Sequence, residues 1–326
     1  MKEEEIRKRD IFNKYLELLK EDIEKFFPND SSFFNSNCPA CDSSDSKFEF
    51  EKHKFCYVSC KQCSTLYVSP RPTLQDLKRF YTNSASTSFW VNEFFKPHTE
   101  NRRKLIFRPR AEYVYQLLSP KSNSVIGDIG AGFGIFLEEL VKYYPEARYV
   151  AIEPSVKQAQ ICRDKGINVL TCLLEEVDES IEKFNLLTAF ELFEHLFCPY
   201  DFLCNVYRLL KPDGHFLMTT LNPCGFDIQL LWEKSKSLSP PHHLNFFNPN
   251  SIALLFKRCG FEVIEVSTPG RLDWDIVEGM IKKENTDLGR FWNLIANTKD
   301  EKCKSQLQQW ISNNNLSSHM RVVAKK

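Results

Sequence analysis

Apolar residues recur at three- and four-residue steps near the start of the chain: Phe12, Tyr15, Leu16, Leu19, Ile23 and Phe26. That spacing puts one apolar stripe on a helix, which must bury it against other parts of the protein. Between residues 31 and 70 the helical period disappears. Ser, Asn and Asp cluster there, and the short strings Phe48/Phe50, Phe55/Tyr57 and Leu66–Val68 read as small strands. Residues 71–118 return to a helical pattern that opens after Pro70 and Pro72.

From residue 123 onward strand and helix patterns alternate. SVIGDIG, RYVAIEP, INVLTC, FNLLTAFE, HFLMTTL and FEVIEV read as strands, and 135–144, 156–165, 199–210 and 251–259 as helices. Short apolar strands separated by amphipathic helices predict a parallel sheet covered on both faces. Residues 224–241 read as irregular, and the chain after Gly270 as helical and polar. The expected fold class is therefore α/β: a Rossmann-like doubly wound sheet with a small N-terminal lobe and a C-terminal α/β extension. The expected segments are an amphipathic helix (1–30), the cysteine-bearing lobe (31–70), a helical linker or lid (71–118), the α/β domain (119–270) and a helical extension (271–326).

Composition narrows the function classes. The 326 residues carry 43 basic and 43 acidic side chains, for a formal net charge of zero. A nucleic-acid coat or an anionic-membrane binder would need a basic excess, so neither partner is expected. No apolar run approaches the roughly 18 residues that span a bilayer. The charged N-terminus, MKEEEIRKRD, has no apolar core behind it, so it does not read as a signal peptide. A cytoplasmic protein is expected, in which clustered cysteines point to metal or chemistry instead of disulfides.

Four of the 11 glycines lie in the string VIGDIGAGFGIF. Gly130, Gly132 and Gly134 fall where a strand ends and a helix begins, so positive φ and close approach of a ligand are available there. A dinucleotide site uses G-x-G-x-x-G, whereas Ile135 stands at the place of that third glycine. Asp128 precedes the turn. A carboxylate there repels a pyrophosphate and welcomes a cationic amine, which disfavours a nicotinamide oxidoreductase. Glu153 ends the next strand, 23 residues after Gly130, near the offset at which an acid accepts bonds from ribose hydroxyls. The ligand reads as a nucleoside with a cationic tail, and S-adenosyl-L-methionine, a methyl donor, fits that description.

VIGDIGAGFG, VAIEPS, LTAFELFEHL and LLKPDGHFLMTTLNP, in that order, resemble the motifs of class I S-adenosylmethionine-dependent methyltransferases. The resemblance implies that Gly130, Ala131 and Gly132 line the methionine portion of the donor, with Asp128 near its amino group. It implies that Glu153, followed by Pro154, holds the ribose. Leu174 and Glu175 fall where the family contacts adenine, and Phe190 and Glu191 beside the donor. Asp213 departs from the glycine common in the turn before the HFLMTTL strand; an Asp-Gly turn is sound there.

Cys38 and Cys41 (CPAC) and Cys60 and Cys63 (CKQC) form C-x2-C-x18-C-x2-C. That spacing suits the tetrahedral four-thiolate site of a zinc ribbon, with Cys56 and His53 fitting less well. Four thiolates leave no place for water, so the expected Zn2+ is structural. The ribbon followed by TLYVSPRPTLQDLKRFY resembles the N-terminal region of methyltransferases similar to the sugar C-methyltransferases and polysaccharide-cluster enzymes. By that resemblance the acceptor is a small molecule, a nucleotide-linked sugar or polysaccharide precursor, and the ribbon helps form the substrate side. A non-catalytic scaffold of the same fold and a macromolecule-directed methyltransferase are the alternatives.

A base is needed only if the acceptor is a hydroxyl, an ammonium or a carbon acid. His195 follows Glu194 beyond the fourth strand of the α/β domain, at the edge where ligands bind. His242 and His243 follow Pro240 and Pro241. Neighbours on an extended loop point opposite ways, so one of the two faces the pocket, and His243 is the choice. Glu194 is a further candidate, either as base or as the group orienting a histidine. Phe89, Trp90, Phe94 and Phe95 are available to cover donor or acceptor.

Overall fold

A computed structural model describes residues 1–95, 98–118 and 123–326; the side chains of Phe94 and Phe95 lie outside the described set. In chain order the strands are β1 (Ser46–Lys52), β2 (Phe55–Cys60), β3 (Leu66–Val68), β4 (Val125–Ile129), β5 (Arg148–Ile152) and β6 (Asn168–Leu170). They continue with β7 (Phe184–Phe190), β8 (Leu210–Leu221), β9 (Asn245–Phe246), β10 (Glu262–Ser267) and β11 (His319–Lys325). The chain divides into two compact units. One gathers Met1–His98, Leu221–Ile252 and Ser267–Met320, the other Thr99–Thr220, Ala253–Val266 and Arg321–Lys326. These units cut across the segment borders read from the sequence, because packing joins stretches far apart in the chain.

In the first unit the helix Arg9–Phe26 buries Phe12, Tyr15, Leu19, Ile23 and Phe26, with Leu16 half-buried, as the stripe requires. The expected single helix is broken, since Arg7 is extended and a separate turn, Glu3–Ile6, precedes it. A four-stranded antiparallel sheet has the order β1-β2-β3-β9. Its last strand comes from the PPHHLNFFNPN segment: Leu66 pairs with Phe246 and Tyr67 with Asn245. Buried Arg71 ties the two stretches together, donating to the Val68 carbonyl at 3.1 Å and to Asn245 Oδ1 at 3.3 Å. Residues 224–241 are not wholly irregular, as they hold the helix Phe226–Leu231 and a 3-10 turn, Trp232–Lys234. Six residues are too few for a 3.6-residue period to register in the sequence.

The second unit carries a seven-stranded sheet, β10-β11-β8-β7-β4-β5-β6. Pairs β4–β5, β4–β7, β5–β6 and β7–β8 are parallel. All five residues of β4 are buried, the mark of a strand covered on both faces. From β4 the chain moves outward to β5 and β6, then returns to the other side of β4 as β7. The carboxyl ends of β4 and β7 therefore bracket the point where the winding reverses, the place at which such sheets bind ligands.

The expectation that residues 271–326 are helical throughout is corrected. Helices Asp273–Glu284, Arg290–Thr298 and Glu301–Asn313 are followed by β11, which lies between β8 and β10 and buries Val322, Val323 and Ala324. Lys326 donates its backbone N–H to Gly214 O at 2.9 Å, while Asn222 N–H reaches Ser318 O at 2.7 Å. The start of β8 thus lies beside the end of β11, and the two strands are antiparallel. No helix among the described residues is long and apolar enough to cross a membrane.

Candidate functional site

The turn after β4 is left-handed at three points: Gly130 at φ 67°, Gly132 at 56° and Gly134 at 69°. The glycines differ in what surrounds them. A Cβ on Gly134 would meet Ile167 Cδ1 at 2.8 Å and Cys162 Sγ at 3.0 Å, so this glycine serves packing. A Cβ on Gly132 would meet nothing within 4 Å, so the space over it is open. Gly134→Ala is expected to destabilise the protein by about 1–3 kcal/mol through strain and overpacking. Gly132→Ala should cost less in stability and more in donor affinity. Thermal unfolding and calorimetry on the same two variants separate these effects, and equal loss of stability in both would refute the distinction.

Asp128, the fourth residue of β4, is 3% exposed and accepts a 2.6 Å hydrogen bond from Thr188 Oγ1 on the neighbouring β7. Burial pushes its pKa up to about 7, partly opposed by the Thr188 bond and the Arg110 charge. A carboxylate kept this dry awaits a cation.

Glu153, just beyond β5, is 5% exposed. Its Oε2 accepts from Gly132 N–H at 2.8 Å and its Oε1 from Ser155 N–H at 2.9 Å. The Gly132 amide is thus engaged by Glu153. Each carboxylate oxygen keeps a further lone pair for a hydroxyl. Burial raises the Glu153 pKa and the two amides pull it back. Ala131 packs against the core beneath the turn, and Pro154 is exposed. Beyond β6, the 3-10 turn Leu174–Glu176 buries Leu174 and leaves Glu175 exposed.

At the carboxyl end of β7, the half-buried Phe190 ring meets Phe136 at 4.7 Å, centroid to centroid. Glu191 follows in a left-handed conformation, φ 52°, which a non-glycine residue adopts at a cost. It is paired with Arg110, Nη2 to Oε1 2.6 Å, and accepts from Thr219 Oγ1 at 2.7 Å. Arg110 escaped the sequence reading because 81 positions separate it from Glu191 and R-P-R-A carries no motif. Thr188 and Thr219 were missed for a similar reason, since both sit inside apolar strands. Glu194, 2% exposed in the 3-10 turn Phe193–His195, accepts from Thr220 Oγ1 at 2.8 Å. A Glu194 oxygen and a His195 ring nitrogen lie within 4.8 Å of each other.

In the first unit, His243 Nδ1 lies 2.6 Å from the Ser237 carbonyl. A carbonyl only accepts, so Nδ1 carries the hydrogen and the neutral ring keeps its lone pair on Nε2. His242 is 7% exposed among the rings of Tyr15, Phe80 and Tyr81, at centroid distances of 6.0, 5.0 and 5.3 Å. That environment is a packing role.

The same unit brings Cys38, Cys41, Cys60 and Cys63 together. Sulfur–sulfur distances are 3.5 Å for Cys38–Cys63, 3.5 Å for Cys41–Cys60 and 3.6 Å for Cys41–Cys63. Zn–S bonds of about 2.3 Å in a tetrahedron require edges of about 3.8 Å, so the donor set fits a zinc ion. The two pairs are held by the same turn. Cys38 N–H bonds Ser43 O and Asp42 N–H bonds Cys38 O, as Cys60 N–H bonds Thr65 O and Ser64 N–H bonds Cys60 O, each at 2.9 Å. Asp42 and Ser64 take matching left-handed conformations, φ 64° and 58°. The Cys38 thiol bonded to Cys63 holds the Cys63 sulfur below its ordinary pKa, toward the thiolate that ligates metal.

Known proteins match this arrangement. The family described as a methyltransferase domain matches residues 98–266, just over half of the chain. The mitochondrial ubiquinone biosynthesis O-methyltransferase of Bos taurus is 33% identical over 123 residues, which cover 35% of this chain and 33% of that protein. The ubiquinone biosynthesis O-methyltransferase of Xanthomonas axonopodis pv. citri is 27% identical over 169 residues, 48% of this chain and 70% of that one. The chain thus spans about a third of the length of the mammalian relative. Among solved structures, a chain in the complex between the Haloferax volcanii Trm112 methyltransferase activator and a methyltransferase aligns with TM-score 0.52 and 13% identity, covering 73% of this chain and 94% of that chain. The plantazolicin methyltransferase BpumL, bound to a desmethyl substrate analogue and S-adenosylhomocysteine, aligns with TM-score 0.51 and 13% identity over 77% of this chain and 94% of that one. At such identities the likeness is one of fold.

Proposed function

Because the chain belongs to the methyltransferase-domain family of class I S-adenosylmethionine-dependent enzymes, we propose that it methylates a small molecule held beyond the carboxyl ends of β7 and β8. The observation that carries the donor half of this reading is a dry carboxylate, Asp128, beside a left-handed turn that is open over Gly132. The donor, when bound, supplies an electrophilic methyl carbon on a sulfonium that is already a good leaving group.

The protein's own work is binding, orientation and exclusion of water. Asp128 takes the ammonium of the donor, and the backbone of Gly130, Ala131 and Gly132 runs along its methionine portion. Glu153 offers its remaining lone pairs to the ribose hydroxyls, with Pro154 beside it, while Leu174 and Glu175 flank the adenine. Phe190 and Glu191 border the methyl group. Holding an acceptor atom about 3–3.5 Å from the methyl carbon contributes at most roughly 7–11 kcal/mol. His243, with its lone pair on Nε2, takes the acceptor proton; Glu194 and His195 are the other candidates for that step. The cysteine site holds Zn2+ in a structural role, through four thiolates.

The acceptor is best sought among hydroxyl-bearing small molecules. O-directed transfer is supported by the ubiquinone relatives, and a nucleotide-linked sugar or polysaccharide precursor by the resemblance of the cysteine-bearing segment. An acceptor screen read out by S-adenosylhomocysteine formation, nucleotide sugars first, tests the proposal. With the acceptor found, His243→Asn should lower kcat by about 10²–10⁴-fold and leave the donor Kd unchanged. A wild-type rate in that variant moves the base elsewhere. Absence of donor binding at millimolar concentration would overturn the reading as a whole.

A further inference from the structure

Two carboxyl groups meet away from solvent inside the first unit. Asp227, on the helix Phe226–Leu231, is 0% exposed, and Asp273, the first residue of the helix Asp273–Glu284, is 2% exposed. The chain treats them differently. Asp273 takes three donors. The Ser317 hydroxyl spans its two oxygens at 2.9 and 2.8 Å, Ser318 N–H reaches Oδ1 at 2.8 Å and the Gln308 amide reaches Oδ2 at 2.8 Å. It also stands in the first turn of its helix, where free amides favour negative charge. Neither oxygen of Asp227 has a hydrogen-bond partner among the described residues. The charged group that acts most on Asp227 is Asp273, within hydrogen-bonding reach.

Two carboxylates in dry contact do not both ionise, and the donor count decides which one holds the charge. Asp273 is the carboxylate. Asp227, as the acid, gains an O–H to donate to it. Burial first, then the Asp273 charge, raises the Asp227 pKa, while the Ser318 hydroxyl pulls partly the other way. The surrounding elements bring no cation to replace the proton. The helix Phe226–Leu231 has no second titratable side chain, and the 316–318 turn has none. On Asp273–Glu284, Asp275 pairs with Lys2 at 3.3 Å and Glu278 with Lys304 at 2.7 Å. The helix Glu301–Asn313 presents Gln308 and Ser312 to this junction, and Arg271 is exposed beside Met1. His319 follows Ser318 in the chain and so points to the opposite face of the strand.

The junction has no slack for a second charge. A Cβ on Gly225 would meet Ser318 N at 2.2 Å, and one on Gly270 would meet Ser317 Oγ at 1.8 Å. Phe226 N–H reaches Leu316 O and Asn222 N–H reaches Ser318 O, each at 2.7 Å. We propose that Asp227 and Asp273 form a proton-operated clamp, which joins residues 222–231 to the helix Asp273–Glu284 and the 316–318 turn and releases them when Asp227 loses its proton. The clamp governs the segment that directly follows β8, and it does not depend on the methyltransferase reading. A carboxyl whose folded pKa is raised stabilises the fold below its unfolded pKa of about 4 and loses that contribution as pH climbs through the folded value. The clamp is therefore closed in acid and opens toward alkaline pH.

The test is amide exchange on the full chain from pH 5.5 to 8, normalised to the intrinsic exchange rate at each pH. Protection over residues 222–231 and 316–318 should fall by about tenfold or more across this range in wild type. It should stay level in D227N, whose amide donates to Asp273 at every pH. D128N should keep the fall, which separates the clamp from the titration of Asp128 in the other unit. Should D227N fail to fold, D273N serves as the second variant: with the neighbouring charge gone, the fall should move to lower pH. Level protection in wild type, an equal fall in D227N, or an unmoved fall in D273N overturns the proposal.

Discussion

Asp128→Ala lowers the affinity for S-adenosylmethionine by about ten- to a hundredfold, the equivalent of about 1–3 kcal/mol for a charged hydrogen bond lost in a dry site. Wild-type affinity should also depend on pH. Burial holds the Asp128 pKa near 7 in the ligand-free protein, well above its ordinary 3.8. Only the carboxylate pairs with the ammonium of the donor, so affinity is lost as pH falls through 7. Between pH 7.5 and 5.5 the Kd should rise by roughly tenfold or more. On the alkaline side the limit is the donor's own amine, with an α-amino pKa of about 8.

The sign reverses for stability of the ligand-free chain. A carboxyl whose folded pKa is raised binds its proton more tightly in the folded state. Its contribution is therefore fully present below pH 4 and is lost as pH climbs through 7. Ligand-free protein becomes less stable over the interval in which donor binding becomes tighter. Calorimetric Kd values from pH 5.5 to 8, for wild type and Asp128→Asn, check this directly. A wild-type profile as flat as that of the variant would detach Asp128 from the donor.

The second large effect is expected at the cysteine site. Removing the metal by chelation, or breaking the site with Cys60→Ser, should unfold the β1–β3 sheet. Structural zinc sites in small domains contribute apparent binding energies of about 10–16 kcal/mol, far more than so short a segment gains from its own core. The sheet buries Phe55, Tyr57, Leu66, Tyr67 and Val68, but its turns are polar and are held from the cysteine side by four backbone bonds, two in each knuckle. Elemental analysis should find about one zinc per wild-type chain. Amide exchange over residues 46–68 should lose protection in the variant and on chelation. A protected sheet in protein free of zinc would show that the four thiols pack without an ion.

The readable parts of the chain were local ones. Each strand from β4 to β8 and each of the helices between them lies within a few residues of its apolar pattern, because burial on both sheet faces imposes short continuous runs that survive in the sequence. The three left-handed glycines and the two C-x2-C knuckles were legible for the same reason: backbone conformation and ligand spacing are properties of a few adjacent residues.

What escaped was decided by partners distant in sequence. HMRVVAK resembles the end of a polar helical segment until it is seen paired between β8 and β10. Asn245–Phe246 completes a sheet whose other strands lie nearly 180 residues earlier. Nothing in the loop sequence tells that aromatic rings enclose His242 while the Ser237 carbonyl sets the tautomer of His243.

The amino-acid sequence by itself determined the parallel-sheet class, the position of the glycine turn and the carboxylates that flank it, and the pairing of four cysteines into two knuckles, since each follows from spacing within one short stretch. Tertiary structure alone decided which of those groups are dry, which amides are already taken and which cation stands beside Glu191. Burial and long-range pairing depend on segments folded in from elsewhere, and a one-dimensional pattern holds no record of them.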